Sequence, residues 1–413
     1  MRAEATAGAS QLEVWHHSGH DHTTTREHER APMSGRRIRL KYVLLTILIF
    51  IVVLVVAGLA STGWLDALGA APKGERLARI QRSPNYRDGA FRNTDTTNTA
   101  PNTGTWEMLR RWLGGKEQRV PPGPLPIVKI ARGNFDRPPE SGLRATWLGH
   151  STVLVEIDGS RVLLDPVWAR RASPSSLIGP KRFFPPPLAL EDLPPIDAIM
   201  TSHDHYDHLD RGVIRALAKS SSQSAARFIV PLGVGAHLER WGISPERITE
   251  LDWGESTTVG PLTLTATPAR HFSGRGLSDR NHTLWASWSI KGPVHRVFHS
   301  GDTGPFSGFG EIGLQHGPFD LTLVKIGAYD DSWPDIHLSP EQAVDAHGKL
   351  RGKVMLPIHW GTFNLAFHRW DEPADRVVAA GVGTTVVVPK PGESVEPARP
   401  SRVESWWRTL RSN

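Results

Sequence analysis

The chain contains no cysteine among its 413 residues. That excludes disulfides, thiolate nucleophiles and every sulfur-ligated metal centre, so a metal must be held by His, Asp or Glu. No internal sequence repeat is visible. No basic stripe interleaved with aromatic residues is present either, although the formal net charge is +6. Much of that excess sits in "RRIRLK" and in the C-terminal "WWRTLRSN". We read it as facing phospholipid and expect no nucleic-acid partner.

What the chain does have is ordinary globular material, 39% hydrophobic and 22% charged. Its 33 prolines and 39 glycines call for many turns. The 15 tryptophans are either core or amphipathic rings near a membrane surface or ligand groove.

Residues 42–60, "YVLLTILIFIVVLVVAGLA", carry no charged side chain. As a helix they span roughly 28 Å, close to a hydrocarbon core. Arg36, Arg37, Arg39 and Lys41 precede the run. The positive-inside bias then predicts a single-pass cell-membrane protein with everything after residue 60 on the extracytoplasmic side. A cleaved signal peptide is the alternative, since "GLA" before Ser61 has the small residues of a cleavage site. Residues 1–41 read as a disordered cytoplasmic tail; its five histidines in "EVWHHSGHDHTTTREHER" have no fixed ligand spacing. Residues 61–126 read as a tether and covering segment, 127–395 as the main folded domain and 396–413 as a C-terminal tail.

From residue 127 short apolar strands alternate with Gly and Pro, and "DGS" at 158–160 is placed for a hairpin turn. Helical stretches lie at "DRGVIRALAKS", "LGVGAHLERWG" and "SPEQAVDAHGKL", the last with Ser339 as N-cap. This pattern predicts an α+β chain built as an αββα sandwich of two packed sheets. Four strand-like runs end in metal-type ligands: "MTS" in His203, "TATPAR" in His271, "VFHSG" in Asp302 and "MLPI" in His359.

Within "TSHDHYDHLD" (201–210), His203 and His205 project to the same side of extended backbone. Asp207 and His208 aim at a neighbouring point as the chain turns. With His271, His359 and Asp302 there are enough ligands for two ions sharing one bridge. Imidazole and carboxylate donors without sulfur suit zinc, and two zinc ions hold a hydroxide at neutral pH.

"WLGHSTVLVEIDG", "LLDPVWARRASPSSLIGPKRFFPPP", "TSHDHYDHLD", "PARHFSGRGLSDRNHTLWASW", "SGDTG", "IGAYDDSWPDIHLSPEQAV" and "LPIHWGTFNLA" together resemble the metallo-β-lactamase superfamily. Within it they are similar to N-acylphosphatidylethanolamine-hydrolysing phospholipase D, from about residue 84 to about 370. The resemblance implies two zinc ions, one held by His203, His205 and His271, the other by Asp207, His208 and His359, with Asp302 bridging. It implies catalytic roles for Asp207, Asp302 and His337, the last at the phosphate or leaving group. Asp165 would orient the ligands, or merely close a strand as an Asp-Pro turn. Tyr206 and His150 would sit in the pocket or behind the ligands, with core packing as their alternative.

The expected activity is a membrane-anchored zinc phosphodiesterase of phospholipase D type acting on phospholipid head groups. A dizinc hydrolase of a soluble ester, lactone or β-lactam is the alternative, and a non-catalytic metal-binding envelope protein the third reading. The sequence leaves the oligomeric state, a dimer included, open.

Overall fold

The computed structural model describes residues 34–61, 63–400 and 404–411; the His-rich stretch near the N-terminus lies outside them. The chain divides into two units, Met1–Ala57 and Gly58–Asn413. The first is represented by helix α1 (Ser34–Ser61), whose described side chains from Arg39 to Leu54 are all exposed. Among the described residues no helix is long and apolar enough to cross a membrane. The side chains at 55–57, 59 and 60, which complete the apolar run, are not among them.

The second unit opens with α2 (Trp64–Ala67), α3 (Gly74–Arg82), the hairpin β1 (Tyr86–Arg87) and β2 (Ala90–Phe91), and α4 (Thr105–Gly114). Then come β3 (Leu143–Gly149), β4 (Thr152–Ile157), β5 (Ser160–Leu164), β6 (Ala198–Met200), β7 (Arg227–Pro231) and β8 (Ile248–Leu251). They are followed by β9 (Ser256–Val259), β10 (Leu262–Thr267), β11 (Ser287–Lys291), β12 (Arg296–His299), β13 (Phe319–Lys325), β14 (Gly352–Ile358), β15 (Thr385–Val386) and β16 (Ser394–Val395). Helices α5 (Arg211–Lys219), α6 (Gly235–Arg240), α7 (Phe309–His316), α8 (Pro340–Lys349) and α9 (Glu372–Ala380) complete the unit.

Two seven-stranded sheets result, in the orders β16-β3-β4-β5-β6-β7-β8 and β15-β14-β13-β12-β11-β10-β9. Each has three antiparallel pairings at one side and three parallel ones at the other, starting from β16 in the first sheet and from β9 in the second. The halves thus share a topology that leaves no trace as a sequence repeat. Val155 and Leu164 from the first sheet meet Leu264 and Leu323 from the second in one core. Leu154, Leu163 and Phe228 point the other way and pack under Ile214, Leu217 and Leu238 of α5 and α6. Helix α8 covers β13 and β14 beside α7 and α9. This is the expected αββα sandwich.

Local chemistry sets the element ends. Asp158 and Gly159 both take positive φ between β4 and β5, as a two-residue hairpin turn needs. Ser339 and Gln342 exchange side-chain and backbone hydrogen bonds at the start of α8, a capping box. Strand β14 ends in a continuous buried apolar run, Val354–Ile358, because a parallel strand covered on both faces has no polar side.

The aromatic part of the C-terminal "WWRTLRSN" packs inward: Trp406 and Trp407 are buried in the core beside Trp360. Arg408 Nε bonds Asp375 at 2.7 Å, and Arg411 reaches Asp371 and Asp375. Such partly exposed pairs contribute about 0–1 kcal/mol each, whereas two buried indoles are worth several times that. Apolar burial therefore fixes this segment.

Candidate metal centre

The putting-together of the site follows from strand direction. Strands β3, β5 and β6 run the same way, as do β10, β12, β13 and β14, because each is separated from the next by parallel pairing or by two antiparallel ones. The residues just beyond their carboxyl ends therefore collect at one edge. These are His150, Asp165, His203, His271, Asp302 and His359, with Lys325 closing β13.

His203, His205 and His271 each present a ring nitrogen within 4.8 Å of the others. His150, Asp207, His208 and His359 form a second group by the same measure. Asp302 lies between them: its Oδ2 is 3.0 Å from His359 Nε2, 3.3 Å from His208 Nε2 and 3.8 Å from His271 Nε2. All seven expected ligands thus converge; His203, His208, His271, Asp302 and His359 are buried, and His205 and Asp207 are partly so.

Polar satisfaction tests whether this set fits a cation. Nε2 of His208, both ring nitrogens of His359 and Oδ1 of Asp302 are buried, and none makes a hydrogen bond among the described residues. A buried polar atom without a partner costs about 1–3 kcal/mol, so several in one place need a common compensating charge. Divalent cations supply it, and the nitrogen–oxygen donor set fits them. Electrostatics agree. Burial drives the His203 and His271 imidazoles well below the ordinary range, keeping their lone pairs free. Burial would raise the carboxyls of Asp207 and Asp302, but facing histidines, His208 for the first and His359 for the second, hold both well below the usual range.

Asp165 stands directly behind this shell. At a positive φ just after β5, it accepts from Ser202 N at 2.7 Å, Ser202 Oγ at 2.8 Å and His208 Nδ1 at 2.7 Å. That fixes the His208 proton on Nδ1 and turns Nε2 toward Asp207 and Asp302.

A family model described as a beta-lactamase superfamily domain matches residues 160–360. A Mycobacterium tuberculosis protein, Rv0906, is 48% identical over 371 residues, covering 85% of this chain and 96% of its own. The N-acyl-phosphatidylethanolamine-hydrolyzing phospholipase D 1 of Caenorhabditis elegans is 41% identical over 272 residues, 63% of this chain and 75% of that protein. The chain belongs to the metallo-β-lactamase superfamily. It is a metallohydrolase with relatives of the N-acylphosphatidylethanolamine phospholipase D kind. A solved structure, a possible metal-dependent hydrolase from Veillonella parvula, shares the fold with a TM-score of 0.50 at 18% identity, over 61% of this chain and 98% of that one.

This metallo-β-lactamase-superfamily site opens into a cavity of about 370 Å³ lined by His205, Asp207, His271, Asp302, His337 and His359, with Phe272, Trp333 and Leu365 as apolar walls. His337 also borders a polar cavity of about 550 Å³. His150 lies closer in than expected, its Nε2 2.9 Å from Asp207 Oδ2. Tyr206 turns away, donating to Arg275 O at 2.7 Å with the Arg275 guanidinium over its ring.

Three contributors escape sequence reading. Lys325 is fully buried, and its Nζ donates to His337 Nδ1. Burial lowers its pKa to about 7 against the pull of Asp302 and Asp207. Its signal is a lone charge closing an apolar strand. Asn93, in the covering segment, donates to His271 O at 2.8 Å and accepts from His271 N at 3.0 Å. Arg280 lines the cavity, donates to Thr99 O at 2.7 Å and stacks over Phe272. Both sit in polar loops whose sequence carries no marker.

Proposed function

We propose that the chain is a membrane-anchored phosphodiesterase that cleaves phospholipid head groups, with two zinc ions at the site. The observation that carries this is a shared carboxylate, Asp302, between two histidine groups at the floor of a cavity with apolar walls and an arginine. His203, His205 and His271 would hold one ion, and Asp207, His208 and His359 the other. Bound there, zinc would supply Lewis-acid polarisation of the phosphoryl oxygens and an acidified water.

The chain's own groups divide the remaining work. Arg280 places a cation at the cavity wall to meet the phosphate charge. Phe272, Trp333 and Leu365 accommodate apolar substrate and exclude water. Lys325 donates to Nδ1 of His337, so the proton of the neutral imidazole sits on Nε2. That proton is positioned to pass to the departing head-group oxygen as the phosphorus–oxygen bond breaks, while the Lys325 ammonium passes its own proton to Nδ1, leaving a neutral imidazole and a neutral amine. His150 steadies the Asp207 carboxylate.

The apolar run at 42–60, flanked by Arg36 to Lys41, supports a single-pass anchor with the catalytic part outside the cytoplasm. Purified protein incubated with total membrane lipid should release phosphatidic acid and free head groups, read by mass spectrometry. Turnover confined to soluble esters, lactones or β-lactams would overturn the phospholipid reading.

A further inference from the structure

Helix α4 has no buried residue. Trp106, Leu109 and Leu113 are spaced three and four apart, so they form one stripe, and Trp106 and Leu113 are 76% and 77% exposed. The opposite side of the helix is tied down. Arg111 bonds both Asp330 oxygens at 2.8 and 2.7 Å and Ser332 Oγ at 2.9 Å, and its guanidinium lies 4.1 Å over Phe367. The stripe is thus held outward on a fixed support. That support is the cavity rim, since Trp333 and Leu365, close in sequence to Ser332 and Phe367, line the cavity.

One other segment presents apolar tips. Leu177 and Ile178 are 70% and 67% exposed in a loop closed by the Arg171–Lys181 bridge. That loop and Tyr206, next to Asp207, border one cavity. Cations accompany the tips: Arg110, Lys116 and Arg119 around α4, and Arg170, Arg171 and Lys181 around the loop. Exposed apolar residues such as Val294, Leu314 and Val382 are single and need no explanation.

We propose that this rim is a docking surface for a lipid leaflet carrying anionic head groups, with the α4 stripe and the 177–178 tip inserted among acyl chains. An amphipathic helix with indole and leucine on one face and cations beside it partitions into such an interface. A second protein needs a contiguous complementary patch of about 800 Å² per partner. A leaflet accepts separated tips. The assignment extends the phospholipid reading, because it points the cavity mouth at the substrate's own phase.

Because the chain has no cysteine, Leu113→Cys, Leu177→Cys and the control Val382→Cys each create a unique spin-label site in the full chain. In vesicles of phosphatidylcholine and phosphatidylglycerol, labels at 113 and 177 should gain oxygen collisions and lose nickel-chelate collisions relative to detergent, while 382 stays unchanged. Labels at 113 and 177 that remain as water-accessible as 382 overturn the proposal. So does equal shielding in concentrated detergent samples, which would identify a second copy as the occupant. As a second arm, the triple change Trp106→Ser, Leu109→Ser, Leu113→Ser should keep metal content and turnover of a short-chain soluble phosphodiester and lose about tenfold on vesicles. Leaflet insertion without any vesicle hydrolysis would sink the phospholipid reading and leave docking standing.

Discussion

At the scale of single residues, the site depends on groups that touch no substrate. Asp165 receives three hydrogen bonds through two oxygens, so Asp165→Asn replaces an acceptor by a donor facing either Ser202 N, or Ser202 Oγ and His208 Nδ1 together. The change should cost about 1–3 kcal/mol of stability and about 10–100-fold in metal affinity. Metal titration beside thermal melts checks this, and unchanged affinity would show that Asp165 only closes its strand. Lys325 gives a pH-resolved case. Its folded pKa of about 7 lies below the ordinary 10.5, so burying the ammonium costs most below pH 7. Above that the unfolded state binds more protons at this position, and the cost fades as pH rises toward 10.5. Lys325→Met should therefore stabilise the metal-free protein, with an advantage that shrinks as pH climbs through 7 in parallel melts. A variant that is less stable at pH 6 would contradict that balance.

At the scale of elements, the ten residues "TSHDHYDHLD" separate into different kinds of work. Asp210 is the N-cap of α5, accepting from Gly212 N at 2.8 Å, and its second oxygen accepts from Trp168 N and Ala169 N. Asp204 is buried and held by Gly274 N and Thr283 Oγ1. Asp210→Ala should lower stability by about 1–2 kcal/mol with metal content intact, measured by denaturant melts beside elemental analysis. Loss of metal would instead make this cap part of the ligand support. Strands were legible where a buried run stops at a ligand, as at His203, Asp302 and His359, because apolar continuity and a hydrated end state opposite requirements. Helices α3, α4 and α7 were not, since short pieces flanked by Gly and Pro lack the periodic length that marks a helix. Strand β16 is two residues long and pairs with β3 across almost the whole domain, so no local pattern announces it.

At the scale of the whole molecule, the centre joins the two sheets. His203, His205, Asp207 and His208 follow β6 of the first sheet, whereas His271, Asp302 and His359 follow β10, β12 and β14 of the second. Both proposed ligand groups draw on both sheets, and Asp302 touches members of each. Ions bound there would act as clamps across the sandwich, stabilising the folded chain by mass action. At a free concentration of about 100 times Kd, one site adds about 2.7 kcal/mol. Chelation should therefore lower Tm by several degrees while far-UV circular dichroism stays, because the apolar core between the sheets does not depend on the ions. Re-addition of zinc should restore the original melt. An unchanged Tm in protein shown by elemental analysis to have lost its metal would mean that the sheets are held by apolar packing alone and that the edge is already rigid before any ion arrives.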